Sequence, residues 1–173
     1  YSVNSATLVP TMYQMILDYP ELGKFNLSSL KMLASGAAPL SLALLGRIVE
    51  AFPETEFFQT YGMTEASPIL TSLDSKYHVL KGPNSNKLGS VGRAVRHVDL
   101  IIADENDEPL PPKTTGQILA RGPNIMRGYW QMPGLTEEAP KGGWYHPGAA
   151  GYLDEGGCLF LEGRVNGCLF TTV

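Results

Sequence analysis

The apolar positions of the chain change rhythm along its length. Up to about residue 61, helical and strand-like spacings alternate: Pro10–Leu17 and residues 42–52 place apolar side chains at helical intervals, whereas residues 30–33 and 57–61 are short apolar runs. Ser41 stands where a helix N-cap is needed, and Pro39 ends the run before it. Short strands set between helices predict parallel βα units. Beyond the polar bridge at residues 81–87 the helical spacing disappears. Residues 98–102, 116–120 and 157–167 are strand-like, and the first two are separated by the charged, Pro-ended turn at residues 104–109. The pattern predicts an α/β protein, with a βα-layered part over residues 1–85 and a β-rich part over residues 86–164.

Chemistry-bearing residues gather where the expected strands end. After the run 57–61, Gly62 permits a sharp turn, so Tyr61, Thr64 and Glu65 return beside the strand end. Ligand crevices of open α/β sheets lie at such ends. Tyr61 offers a flat face for a base, Thr64 a hydroxyl for a phosphate oxygen, and Glu65 a hard carboxylate of the kind that Mg²⁺ accepts when it also bridges phosphates. Upstream, the apolar run 30–33 passes into Ser35, Gly36, Ala37, Ala38 and Pro39, small residues that let a planar ring approach the backbone.

These two segments resemble the adenylate-forming superfamily of AMP-binding enzymes, which includes acyl-CoA and aryl-CoA ligases, luciferases and peptide-synthetase adenylation domains. Tyr61-Gly62-Met63-Thr64-Glu65 is similar to the family's adenylate signature, and Gly36-Ala37-Ala38-Pro39 to its adenine strip. Residues 88–93, 116–123 and 126–130 resemble three further family stretches in the same order. The resemblance implies a βα-layered subdomain followed by a small β-barrel-like one, with residues 165–173 starting a hinge. It implies ATP-dependent ligation: a small-molecule carboxylate attacks the α-phosphorus of ATP, pyrophosphate leaves, and the thiol of coenzyme A then displaces AMP. By the same resemblance Tyr61 packs on adenine with Gly36, Ala37, Ala38, Pro39 and Gly62 shaping the slot. Thr64 reaches the phosphate, Glu65 holds Mg²⁺, and Arg164 contacts the nucleotide. Ser35, Gln59 and Met63 face the acyl group. A cytoplasmic enzyme is expected.

Departures from the family pattern carry equal information. Residues 143–151 resemble its ribose motif, yet Ala149 stands where the family has an Asp that grips both ribose hydroxyls, and Pro147 replaces a Thr. Losing a charge-assisted hydrogen bond of this kind costs roughly 1.5–3 kcal/mol. That corresponds to affinity weaker by about one to two powers of ten. Gln117 replaces a frequent Glu and Gly163 a common Asp. The family's phosphate loop and its small C-terminal domain have no counterpart in the sequence, so the chain is expected to be a central piece of a longer protein, inactive unaided. Two other readings stay open at this point: a non-catalytic binding module or degenerate paralogue, and an adenylation domain that loads a carrier protein.

Composition narrows the rest. With 173 residues, 43% hydrophobic and 17% charged, the chain can bury one sizeable core or two small ones. A net charge of −4 provides no basic field for nucleic acid. Cys158 and Cys168 match no zinc spacing and are too few for a disulfide framework, so core or strand positions are expected for both. His78 and His97 stand apart from any ligand cluster, His146 is expected to shape the ribose loop, and Trp130 and Trp144 are expected to anchor packing. The acyl group, membrane contact and oligomeric state stay open.

Overall fold

The computed structural model describes residues 2–79, 81–138 and 140–165, and these form two sheets. The first takes β1 (Ser5–Leu8), then α1 (Pro10–Leu17), β2 (Met32–Ser35), α2 (Leu42–Ala51), β3 (Glu56–Tyr61), β4 (Thr71–Leu73) and β5 (Arg93–Ala94). Its strands lie in the order β1-β2-β3-β4-β5. The first three are parallel, as the βα spacing predicts, but β4 and β5 add on antiparallel. This sheet thus extends past residue 85 to take a strand from beyond the polar bridge. Strands of two and three residues are too short to show a period-two pattern.

The run expected at residues 30–33 is realised two positions later, as Met32–Ser35. The amides of Lys31 and Met32 both bond the Asn4 carbonyl, at 2.8 and 3.1 Å, so the register with β1 is set at Met32. Helix α2 begins as anticipated: the Ser41 hydroxyl accepts the Leu44 amide at 3.2 Å. Leu44, Leu45 and Ile48 of α2 and Tyr13 of α1 bury against Leu33 and Phe57 of the sheet. Each such side chain contributes about 1.5–3 kcal/mol when fully removed from water. The Tyr13 hydroxyl donates to the Ala34 carbonyl at 2.9 Å, so its buried phenol is satisfied. Among the described residues no helix is long and apolar enough to cross a membrane.

The second sheet contains β6 (Asp99–Ala103), β7 (Gly116–Arg121), β8 (Pro140–Lys141), β9 (Trp144–Tyr145), β10 (Ala149–Leu153) and β11 (Leu159–Arg164), with α3 (Pro133–Glu138) between β7 and β8. All its pairings are antiparallel. One edge of β7 pairs with β6; along the other it pairs first with β10, through Gly116 and Gln117, and then with β9, through Ala120. The expected charged turn follows β6, where Asp104 Oδ1 accepts the amides of Asn106 and Glu108 at 2.8 and 3.0 Å. Another carboxylate, Asp154, organises the β10–β11 hairpin by accepting the Gly156 and Cys158 amides, and it pairs with Lys87. Cys158 is buried, and Cys168 lies outside the described residues.

The two sheets are sewn together at Val91 and Gly92. The Val91 amide donates to the Leu159 carbonyl and the Leu159 amide to Gly92, each at 2.8 Å. The buried Thr71 hydroxyl donates to the Val91 carbonyl at 2.6 Å.

His78 is 3% exposed, its ring set edge-on to Phe57 with centroids 4.9 Å apart, and neither ring nitrogen has a hydrogen-bond partner. Burial pushes its pKa down from 6.5 to about 4. Below pH 6.5 the unfolded chain takes up a proton that the folded chain refuses, so stability falls with pH and the loss is complete near pH 4. The expected cost at pH 4 is about 3 kcal/mol relative to neutral pH. Urea denaturation of the wild type and of His78→Leu at both pH values checks this: the wild type is expected to lose about 3 kcal/mol more than the variant between neutral pH and pH 4.

Candidate functional site

The carboxyl ends of β2 and β3 lie side by side, with Ser35 opposite Gln59, so the small-residue strip and the Tyr61 turn are neighbours. Contact between them is close: a methyl group on Gly36 would stand 2.6 Å from the Thr60 hydroxyl oxygen, and that hydroxyl donates to the Ser35 carbonyl at 3.3 Å. Beyond Gly36 the chain turns with Ala37 at φ 66°, a left-handed conformation that L-residues seldom adopt. Ala37, Ala38 and Pro39 are exposed, which leaves one wall of the slot open.

The second wall is the turn from Gly62 to Ile69. Gly62 is required there by space, because a Cβ would fall on the Pro68 carbonyl oxygen. Thr64–Ala66 form a single 3-10 turn, Ser67 sits at φ 51°, and the Leu70 amide closes the turn on the Tyr61 carbonyl at 2.8 Å. Thr64 points to solvent and Glu65 is half-buried. Met63 packs beside Ala66, Leu70, Val98 and Ala120.

The segment after β7 clasps this turn from outside. Asn124 Nδ2 donates to the Ala66 and Ile69 carbonyls at 2.7 and 3.1 Å, and the Met126 amide to the Glu65 carbonyl at 2.8 Å. The Tyr129 hydroxyl donates to Glu65 Oε1 at 2.9 Å, which holds that phenol above its ordinary pKa. The sequence offered one signal for Tyr129, its place in the stretch 126–130, but no role was read from it. Nothing in the spacing pointed to Asn124 or Thr60.

Tyr61 ends β3 and packs against two apolar clusters, one in the second sheet and one shared between the turn that follows it and Val98 and Ala120. Burial raises its phenol to about 12, with the Arg164 charge opposing in part. Its hydroxyl is buried without a partner, as is that of Ser35, which is 1% exposed. Ser35 and Gln59 share the face of the sheet that carries Leu33 and Phe57, while Ala34, Thr60 and Gly36 lie toward the other face.

Ala149 begins β10 directly opposite Arg164 at the end of β11. It is 9% exposed and packs in the cluster that also touches Tyr61. The structure therefore brings together the strip at 36–39, the turn at 61–65, Ala149 and Arg164. His146 lies 3.5 Å from Asp107, and Gln117 donates to Asp107 and to the Asp104 carbonyl. Trp144 lies under the Arg121 guanidinium, 4.5 Å from its ring centroid. Trp130 is no packing anchor: it is 87% exposed, because the chain turns outward where Tyr129 is tied to Glu65.

The residues present fit a nucleotide with its cation. The buried, unpaired hydroxyl of Tyr61 is costly unless a ligand or water completes it, whereas that of Ser35 lies on the helix-covered face of the sheet. Among the described residues no cluster of three His, Cys, Asp or Glu side chains could hold a metal alone. A single half-buried carboxylate such as that of Glu65 is chemically compatible with Mg²⁺, which commonly takes one or two carboxylates and fills its remaining positions with phosphate oxygens and water.

Comparison with known proteins identifies the family. Residues 1–130 match the family model of the AMP-binding enzymes, and the chain belongs to that family. It is 38% identical over 157 residues to feruloyl-CoA synthase of an Amycolatopsis species, covering 91% of this chain and 30% of that protein. It is also 38% identical to 4-coumarate–CoA ligase 1 of Glycine max, over 95% of this chain and 56% of the relative. Among solved structures, o-succinylbenzoate coenzyme A synthetase of Bacillus subtilis in complex with AMP aligns with a TM-score of 0.79 at 28% identity, over 94% of this chain and 31% of that one. The chain thus spans between about a third and just over half the length of these relatives.

The turn depends on its clasp and on the missing side chain of Gly62. Asn124→Ala is expected to destabilise the chain by about 1–3 kcal/mol by stranding two carbonyls, and Gly62→Ala by at least as much through overlap. Urea titration of both variants measures this, and an unchanged midpoint for either would contradict the account.

Proposed function

We propose that this chain carries the nucleotide half of an ATP-dependent carboxylate:coenzyme A ligase. The observation that carries the reading is the register of β2 and β3, which sets the 36–39 strip against the Tyr61–Glu65 turn, with Arg164 and residue 149 on the neighbouring sheet. The family membership and the relatives named as CoA ligases support it.

In this reading adenine enters between the strip and Tyr61, and Thr64 hydrogen-bonds a phosphate oxygen. Glu65 binds the Mg²⁺ that neutralises the phosphates, and Arg164 contacts the nucleotide. The acyl group lies against Met63, with Ser35 and Gln59 supporting the slot from the helix side. The chain's contribution to rate is positioning and charge stabilisation at phosphorus, so that the carboxylate attacks in line and pyrophosphate departs. Coenzyme A is the acceptor in the second half-reaction, and the acid is a small organic carboxylate of the acyl or aryl class. The reaction takes place in the cytoplasm.

One observation favours a second reading. Ala149 supplies no acceptor for ribose hydroxyls, and its methyl is packed into an apolar cluster. A paralogue that retains the fold and binds nucleotide weakly, without turnover, would look like this.

Calorimetric titration with a non-hydrolysable acyl-adenylate analogue tests the proposal. The Ala149→Asp variant is expected to bind about 10–100 times more tightly than the wild type, because the new carboxylate supplies the acceptors for the ribose hydroxyls that Ala149 lacks. Failure of both chains to bind would overturn the assignment of a nucleotide site.

A further inference from the structure

We propose that Tyr129 is a positioning residue for the Glu65 carboxylate, fixing one oxygen by a hydrogen bond so that the other is held ready for a cation. The proposal rests on the reading of Glu65 as the carboxylate that meets Mg²⁺. Its support is geometric. The phenol donates to Oε1 at 2.9 Å, while the main chain of the same Glu is fixed independently by the Met126 amide at 2.8 Å. The glutamate is thus gripped at both ends by one short segment of the connection between β7 and α3.

The segment itself is fastened. Gly128, at φ 150°, lies so close to Thr136 that a Cβ would collide with that side chain. The Thr136 hydroxyl accepts the Tyr129 amide at 2.9 Å and donates to the Met132 carbonyl at 2.8 Å. Helix α3 therefore fixes the backbone from which the Tyr129 ring extends. The buried Tyr145 presents its phenol beside that of Tyr129, and burial and the Glu65 charge raise it. A free glutamate explores several rotamers, and freezing them at the moment of cation binding costs free energy. Here the phenol has removed most of that freedom beforehand. A hydroxyl donor is suited to this task, because it occupies one carboxylate oxygen without adding a positive charge that would repel the metal.

The test uses the full chain as wild type, Tyr129→Phe, Tyr145→Phe and Glu65→Gln. Phenylalanine keeps the ring and removes only the donor. Two quantities are read: side-chain order of Glu65 by NMR relaxation in chains with ¹³C-labelled glutamate, its resonance assigned by loss in Glu65→Gln, and affinity for Mn²⁺ in the presence of ATP by electron paramagnetic resonance. Tyr129→Phe is expected to lower the order of Glu65 and to weaken Mn²⁺ binding about 5–10-fold, while Tyr145→Phe changes both less. Unchanged Glu65 order in Tyr129→Phe would overturn the proposal, whatever the metal does. Lower order together with Mn²⁺ binding that survives Glu65→Gln would leave Tyr129 as the positioning residue and instead overturn the metal assignment under Proposed function.

Discussion

The ring of Tyr61 is the contact on which the rest of the arrangement depends. It ends the middle strand of the first sheet, yet it packs against an apolar cluster of the second sheet and against one that its own following turn shares with Val98 and Ala120. One side chain therefore belongs to the packing of both layers. The backbone exchange between Val91, Gly92 and Leu159 joins the same two layers. Aromatic rings bury large areas in one rigid piece, which makes them suited to such a joint. Because the ring also borders the slot, packing and ligand geometry are not independent variables in this protein.

Much of this was legible in the sequence, for identifiable reasons. The helix after Ser41 follows from a cap and apolar spacing over ten residues, long enough for a period to register. The adjacency of the 36–39 strip and the 61–65 turn follows from two βα units in succession, which places both strand ends on one edge. What escaped notice lacks any such period. β4 and β5 are short strands whose pairing is decided by the antiparallel return from Ile69 and by the close approach of Gly92 to Ser72. The clasp by Asn124, Met126 and Tyr129 joins residues about sixty positions apart through side-chain and backbone bonds, and no local pattern encodes such a meeting. Trp130 was expected inside because Trp usually is, but the tether of Tyr129 turns its neighbour outward.

Residue 149 shows how packing and chemistry compete for one position. An alanine there completes an apolar cluster with Val91, Ile102, Ile118 and Leu159, against which Tyr61 also packs. A carboxylate at the same place would enter that cluster, at a desolvation cost that only strong donors offset. Arg164 across the strand pair is positioned to be one of them.

The left-handed turn at Ala37 has a further consequence. A non-glycine residue in that region carries strain of order 1–2 kcal/mol, which the surrounding strands sustain whether or not anything lies in the slot. The strain thus sits at the edge of the slot before any ligand arrives, and a ligand that let Ala37 relax would bind with that free energy added to its own contacts.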